Sequence, residues 1–264
     1  MTNILLKISY DGSGFHGWQK QPGVRTVQGE IEEKLALVLR APAQIEGASR
    51  TDAGVHALGQ RATLRGDFGI PVDRIPIAVN NLLSDARILC AEEKSEGFHA
   101  RFDTAGKTYT YRFAINAKND IFLRDYTCLL ANSPNIGNMS EAAKYIEGKH
   151  DFISFQAAGG TERESTVRTV FSVRVSAGTG TDPVGEIYET IDLEVSGDGF
   201  LYNMVRIIAG TLLDAGSGKI APNEVKDIIG AKDRARAGPT APPGGLYLKE
   251  VYYDKNNFVT IKGA

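Results

Sequence analysis

The stretch GASRTDAGVHALGQ, residues 47–60, sets an arginine, an acid and a histidine inside a Gly/Ala-rich turn. Asp52 has two readings there. It can shape the turn by bonding its own backbone, which is the commoner use of Asp in such a setting. Or it can react. Arg50 stands two residues upstream, and a guanidinium nearby keeps a carboxylate ionised and can also grip a phosphate. An ionised, oriented carboxylate serves as a nucleophile or a general base.

Other chemistries find less material. Two-carboxylate hydrolysis needs a second acid across the site, and no second Asp or Glu motif stands out. His16, His56, His99 and His150 do not pair with each other, or with Cys90 and Cys128, at zinc-site spacing. The Gly-x-x-x-x-Gly-Lys phosphate loop is missing. An enzyme built from these parts would work with a lone carboxylate, no metal and no cofactor. Tyr109 and Tyr111 lie on one strand face, where aromatics usually serve the core; their other use is as a stacking platform for a base drawn out of its helix. In FLYNMVRIIAG, Arg206 sits at the edge of an apolar stripe, either solvated or paired with a carboxylate from the first half. His99 and Arg101 alternate in GFHARFD as a basic lining for an RNA backbone. Trp18, the only tryptophan, lies in a long polar loop, with packing and ligand contact evenly matched.

The elements that must position these residues follow from periodicity. Strands are expected at 4–12, 43–49, 57–65 and 86–93, with helices over 27–40, capped by Thr26, and over 70–83. That β-α-β-β-α-β order is the ferredoxin-like, split βαβ arrangement. The second part brings a strand at 107–113, a helix with Asn138 as N-cap and Glu141 closing a capping box, and an antiparallel pair, 167–175 with 186–197, joined by a loose surface loop at 176–185. A helix spans 200–216 with Leu201, Met204, Val205, Ile208 and Leu212 as its stripe. A short helix follows at 221–230, closed by Gly230, and a last strand at 245–254. The expected fold is α+β: two ferredoxin-like halves, 1–103 and 104–264, forming one central mostly antiparallel sheet with helices packed on it and a cleft between the halves as the natural site.

The 264 residues suffice for a sizeable core without staples, and 42% hydrophobic with 23% charged residues is ordinary for a folded soluble chain. The two distant cysteines read as free thiols in a reducing compartment. No apolar run reaches membrane-helix length, and the N-terminus has no signal-peptide pattern, so a cytoplasmic location is expected. A net charge of -2 weighs against a nucleic-acid partner, although a two-fold dimer can gather basic residues along one groove.

Taken together, YDGSGFHGWQKQP, ASRTDAGVHALGQ, FHARFDTAGKTYTYRF, FLYNMVRIIAGTLL and GLYLKEVYY resemble the tRNA pseudouridine synthases of the TruA type, in the family's order, from residue 10 to 253. The resemblance implies a cofactor-free isomerisation: the N-glycosidic bond of a tRNA uridine is cut, the uracil turns, and C5 joins C1′. The family's catalytic aspartate falls on Asp52, its companion arginine on Arg50, the base-stacking tyrosine on Tyr109, and the arginine that pairs with the aspartate on Arg206. It implies tRNA as partner, at positions 38 to 40 of the anticodon stem-loop, and a homodimer. Two details depart from the commonest pattern. Ser49 stands where many members have Gly, and 176–189 is longer than a minimal hairpin needs. The competing readings are a non-catalytic RNA-binding module of the same fold and a base-releasing glycosidase. Whether Asp52 attacks C1′ or C6, or acts as a base at C2′, stays open at this level.

Overall fold

The computed structural model describes residues 1–117, 120–160 and 164–254. In chain order the described elements are β1 (Thr2–Tyr10), α1 (Val27–Leu39), β2 (Ile45–Gly47), β3 (His56–Gly66), α2 (Ile75–Asn80), β4 (Ala86–Lys94), β5 (Gly106–Ile115), β6 (Cys128–Leu130), α3 (Ile136–Lys144), β7 (Gly148–Asp151), β8 (Val167–Thr181), β9 (Ile187–Gly197), α4 (Met204–Gly216), α5 (Glu224–Ala231) and β10 (Leu246–Tyr252). The fold is α+β with mostly antiparallel strands, as the sequence leads one to expect. The described chain forms two compact units, one of Met1–Ala105 with Tyr247–Asp254, the other of Gly106–Leu246.

In the first unit β3 lies between β1 and β2, antiparallel to both, and β4 flanks β1. This is the strand order of the split βαβ arrangement. β3 is long enough to serve two neighbours along one edge: β2 pairs over Ala62–Leu64, and β10 runs parallel to its other end, with Tyr247 opposite His56. Ile4, Leu6 and Ile8 of β1 are fully buried, as are Val27, Ile31 and Leu35 of α1, and Leu5 is nearly so. The helix starts where Thr26 accepts the Gly29 N–H, which satisfies one of the amides left open at a helix N-terminus. On β1 and β3, Lys7 stands directly opposite Arg61. Like charges in that position repel. Glu250 of β10 answers both, at 2.6 Å from Lys7 Nζ and 3.2 Å from Arg61 Nη2.

The helix expected over 70–83 is shorter. A 3-10 turn, Val72–Arg74, runs into α2. The Asn80 side chain then pairs with the backbone of β4, accepting from Ile88 N–H (2.8 Å) and donating to Ile88 C=O (2.9 Å). That pair of bonds ties the end of the helix to the neighbouring strand.

In the second unit β5 pairs with β9, β9 with β8, and β8 with β7, all antiparallel, while β6 runs parallel to β5. α3 packs on α4. Four expectations are corrected here. The N-cap of α3 is Asn135, whose Oδ1 accepts the Asn138 N–H at 3.0 Å, so Asn138 is already inside the helix and no capping box forms there. The loose loop at 176–185 is mostly strand: β8 runs on to Thr181, and the turn is held by Asp182 Oδ1, which accepts from Val184 and Glu186 N–H. α4 starts at Met204, after Asn203 takes a left-handed φ of 59°. α5 runs to Ala231 and ends at Lys232, φ 53°, with Gly230 inside it. Asn and Lys are doing here what Gly usually does.

The buried positions of α4 go beyond one stripe; Gly210 and Thr211 are buried with the apolar residues. At Gly210 the backbone of 237–239 crosses the helix so closely that a Cβ would collide with the Pro239 carbonyl oxygen. Thr211 Oγ1 accepts the Gly238 N–H at 2.9 Å and fixes that crossing. Gly230 has open space around it. Gly210→Ala should therefore lower the urea midpoint, by an overpacking cost of about 1–3 kcal/mol. Gly230→Ala should raise it, since alanine relieves about 0.5–1 kcal/mol of helix-interior glycine cost. Urea unfolding of the two variants beside the parent chain checks both signs.

Candidate active site

Asp52 sits on the loop that joins β2 to β3. The Gln60 side chain and the loop at 11–26 bond this loop's backbone, and the Tyr10 hydroxyl holds its Thr51 side chain. Gln60 on β3 is fully buried. Its Oε1 accepts the Ser49 N–H (3.3 Å) and the Arg61 N–H (3.1 Å), and its Nε2 donates to Ser49 C=O (2.7 Å). The Ala48 N–H donates to Arg61 C=O at 2.7 Å. The Tyr10 hydroxyl meets Thr51 Oγ1 at 2.8 Å in the interior. The turn after Asp52 is closed by the main chain, Val55 N–H to Asp52 C=O at 3.2 Å, with Gly54 at φ 76°. A turn with φ > 0 at its third residue favours glycine. Asp52 is half-buried and Arg50 is exposed.

The loop at 11–26 is the other half of this support. Trp18 N–H donates to Thr51 C=O at 3.0 Å, and Gly54 N–H to Phe15 C=O at 3.4 Å. Gly17, at φ 88°, lies against the Thr51 and Asp52 backbone, where a Cβ would come within 2.7 Å of Thr51 O. The Trp18 ring is 1% exposed and covers Gly47, where a Cβ would fall 2.5 Å from the indole nitrogen. Its role is packing. His56, the histidine of the opening motif, is 2% exposed, stacks on Tyr247 at 4.7 Å, and takes the Gly12 N–H on Nδ1 at 3.0 Å. It positions the glycine that passes over Val55.

On α1 two polar side chains extend the same support. Glu32 is 5% exposed; it accepts the Ile45 N–H (3.1 Å), Gln28 Nε2 (3.0 Å) and Lys20 Nζ (3.0 Å). Gln28 also donates to Ile45 C=O and accepts the Lys20 N–H. The start of β2 and the loop at 18–20 are thereby tied to one helix.

The second unit holds the other expected residues. Tyr109 on β5 is 6% exposed, with the Phe200 ring edge-on at 5.2 Å. Tyr111 is fully buried and its hydroxyl donates to Pro242 C=O at 2.8 Å. Burial pushes its pKa far up, so Tyr111 is a neutral core residue and not part of a stacking platform. Arg206, on the first turn of α4, is half-buried. Its Nε donates to Ala241 C=O and its Nη1 to Asn203 Oδ1, both at 2.7 Å. The left-handed Asn203 places that side chain beside the helix start. Of the basic pair, His99 is half-buried, with Nε2 3.1 Å from Glu46 Oε2, and Arg101 is exposed.

A profile described as tRNA pseudouridine synthase matches residues 7–103 and 142–254. Proteins named tRNA pseudouridine synthase A are similar over nearly the whole chain. That of Bacillus subtilis (strain 168) is 47% identical over 254 residues, 95% of this chain and 99% of its own length. That of Bacillus pumilus (strain SAFR-032) is 45% identical with the same coverage. That of Ruminiclostridium cellulolyticum is 44% identical, over 96% of this chain and 100% of its own length. The chain belongs to the tRNA pseudouridine synthase family.

The family's reaction, isomerisation of uridine in tRNA, makes this synthase an isomerase. The 48–55 backbone is held in place from both sides, by the Gln60 amide and by the Trp18 N–H. Ser49 takes part in the support through its N–H and C=O, both bonded to the Gln60 amide. Among the described residues no group of three or more His, Cys, Asp and Glu is arranged to hold a metal ion, and no helix is long and apolar enough to cross a membrane. Gln60, Glu32 and Gln28 were not singled out by the sequence. Gln60 closes the RTDAGVHALGQ motif, and a polar residue sharing a strand face with Ala62 and Leu64 was the available signal.

Gln60→Leu should strand the Ser49 N–H and C=O in the interior at about 1–3 kcal/mol per group and free the loop that carries Asp52. Both the melting temperature and turnover are expected to fall, turnover by more than tenfold, and the loop amides of 49–52 should lose protection in hydrogen exchange. Native exchange rates at those amides would count against the clamp.

Proposed function

We propose that the chain converts uridine to pseudouridine at positions 38, 39 and 40 of the tRNA anticodon stem-loop, as a cofactor-free cytoplasmic homodimer, with Asp52 as the catalytic nucleophile. Tyr109 stacks on the extruded uracil. Arg206 keeps the Asp52 carboxylate charged, and Arg50 contacts the RNA backbone beside it. The catalytic aspartate lies in the half 1–103, and the tyrosine and the second arginine in 104–264. The observation that carries this reading is the backbone of residues 48–55, clamped by Gln60 and Trp18 around an Arg-Thr-Asp sequence, in a chain that aligns with named synthases end to end.

The chemistry follows from what each group can do. A uracil that leaves its stack loses stacking energy, and an aromatic face restores it; Tyr109 offers such a face, steadied by Phe200. An ionised carboxylate in a partly desolvated place needs an opposite charge. The Arg206 guanidinium, already oriented by Ala241 and Asn203, is pre-organised for that work. Attack at C1′, attack at C6, or proton removal at C2′ all use the same carboxylate. In each case the C5 proton leaves as C5 becomes bonded to C1′.

Release of tritium from tRNA labelled at uridine C5 measures that last step. The parent chain should release it, and Asp52→Asn should release none while binding tRNA nearly as before. Turnover of Asp52→Asn within a few-fold of the parent would exclude the carboxylate as nucleophile, and free uracil among the products would point to a glycosidase. Arg206→Ala should lose turnover and also stability, because it leaves Ala241 C=O and Asn203 Oδ1 without their donor, at about 1–3 kcal/mol. A normal melting curve together with a normal rate would contradict it. Affinity for tRNA should fall steeply as salt rises, since phosphate contacts release counterions.

A further inference from the structure

The turn at residues 99–104 of the first unit presents an aromatic ring to solvent. Phe102 is 74% exposed, more than Phe122, Tyr126 or Tyr202, the other exposed Phe and Tyr side chains among the described residues. An exposed phenylalanine by itself needs no explanation. Its setting does. The turn is rigid: Asp103 Oδ2 accepts the His99 N–H (2.8 Å), the Asp103 N–H returns to His99 C=O (3.1 Å), and the Thr104 hydroxyl donates to Ala100 C=O (2.7 Å). Ala100 is fully buried, and the Tyr253 hydroxyl also donates to its carbonyl, at 2.9 Å. The His99 ring is oriented at both nitrogens, by the Arg101 N–H on Nδ1 (3.0 Å) and by Glu46 at Nε2 (3.1 Å). It stands 4.3 Å from the Phe102 ring, and the Arg101 guanidinium lies 5.6 Å from that ring's centre.

So the chain spends several side-chain bonds on holding a ring and a cation out in water, next to each other. Together these groups match one ligand type. A flat apolar ring stacks on a nucleobase of any sequence, and an adjacent guanidinium reaches the phosphate of the same nucleotide. A protein partner would call for a contiguous apolar patch; here the ring is surrounded by His99, Arg101, Asp103 and Glu46. The place also fits. Glu46 lies on β2, which leads directly into the Asp52 loop, and the chain between them spans at most about 20 Å.

We infer that Phe102 and Arg101 form a second contact point for the RNA substrate, with Phe102 stacking on an unpaired or terminal base of a stack and Arg101 on the neighbouring phosphate, apart from the uridine that reacts. This rests on the tRNA reading above. It differs from a plain basic lining, because it divides the binding energy into a salt-independent part on the ring and a salt-dependent part on the arginine.

Equilibrium binding of full-length tRNA to the full chain, measured over a series of salt concentrations, separates the two. Phe102→Ala should weaken binding about tenfold with the slope of log K against log salt unchanged, and Phe102→Trp should restore it. Arg101→Gln should reduce the slope by about one phosphate contact. Urea midpoints should stay at the parent value for all three, as the side chains are exposed. Phe102→Ala binding tRNA as tightly as the parent would overturn the inference while leaving the catalytic reading untouched. A Phe102→Ala chain that changes its sedimentation coefficient would also overturn it, by assigning the ring to a contact between copies. A parent chain that binds no tRNA would remove the catalytic reading and this one together.

Discussion

A side chain on a loop, such as that of Asp52, is aimed only as well as the main chain beneath it. In this chain the aim depends on one buried amide. Gln60 uses its oxygen for two backbone N–H groups and its nitrogen for the Ser49 carbonyl. Away from water such bonds are strong, and leaving any of them unmade is costly. The surrounding features follow from that anchor. Once Ser49 is pinned, the chain has to turn back within a few residues to enter β3. Gly54 permits this, and Gly17 and Trp18 press on the outer side of the turn. The long loop at 11–26 therefore supports its neighbour through two main-chain bonds, at Trp18 and Phe15.

The second unit solves the same problem with different parts. A long flexible arginine loses aim unless its guanidinium is held. Asn203 takes a backbone conformation that costs free energy for a residue with a side chain, and Arg206 Nη1 donates to its side-chain oxygen. The Ala241 carbonyl receives the Nε proton, while the Ala241 N–H returns to the Arg206 carbonyl. Helix start and crossing segment thus hold each other, and the close approach at Gly210 is part of the same contact.

The alternation in β1, the helical spacing in α1 and the order of elements in the first unit were all legible in the sequence, because each rests on burial of a regular apolar pattern. The ends of elements were less so. Asn135 and Asn138 are equally good caps by type, and only the path of the chain before α3 selects the first. The Gly/Thr run after Ser176 has poor strand propensity, yet it extends β8 because β9 supplies a partner along its whole length. The proposed site residues Asp52, Arg50, Tyr109 and Arg206 come from pattern and resemblance together. Trp18 and His56 could not be resolved that way: a polar-aromatic loop looks the same whether its ring faces a ligand or covers a glycine such as Gly47.

The first unit is not continuous in sequence. Its last strand arrives after the whole of the second unit, and that strand brings Glu250 to the facing cations Lys7 and Arg61. During synthesis the first hundred residues leave the ribosome without Glu250, with only Glu92 of β4 within ion-pair reach of Arg61, and with an open stretch of β3 edge at His56–Ala57, immediately after the Asp52 loop. A chain cut short before β10 still carries Asp52 and its loop, but it lacks Glu250, the one acid that reaches Lys7 and Arg61 together among the described ion pairs; the sheet that carries the loop is completed only when the end of the chain has been made.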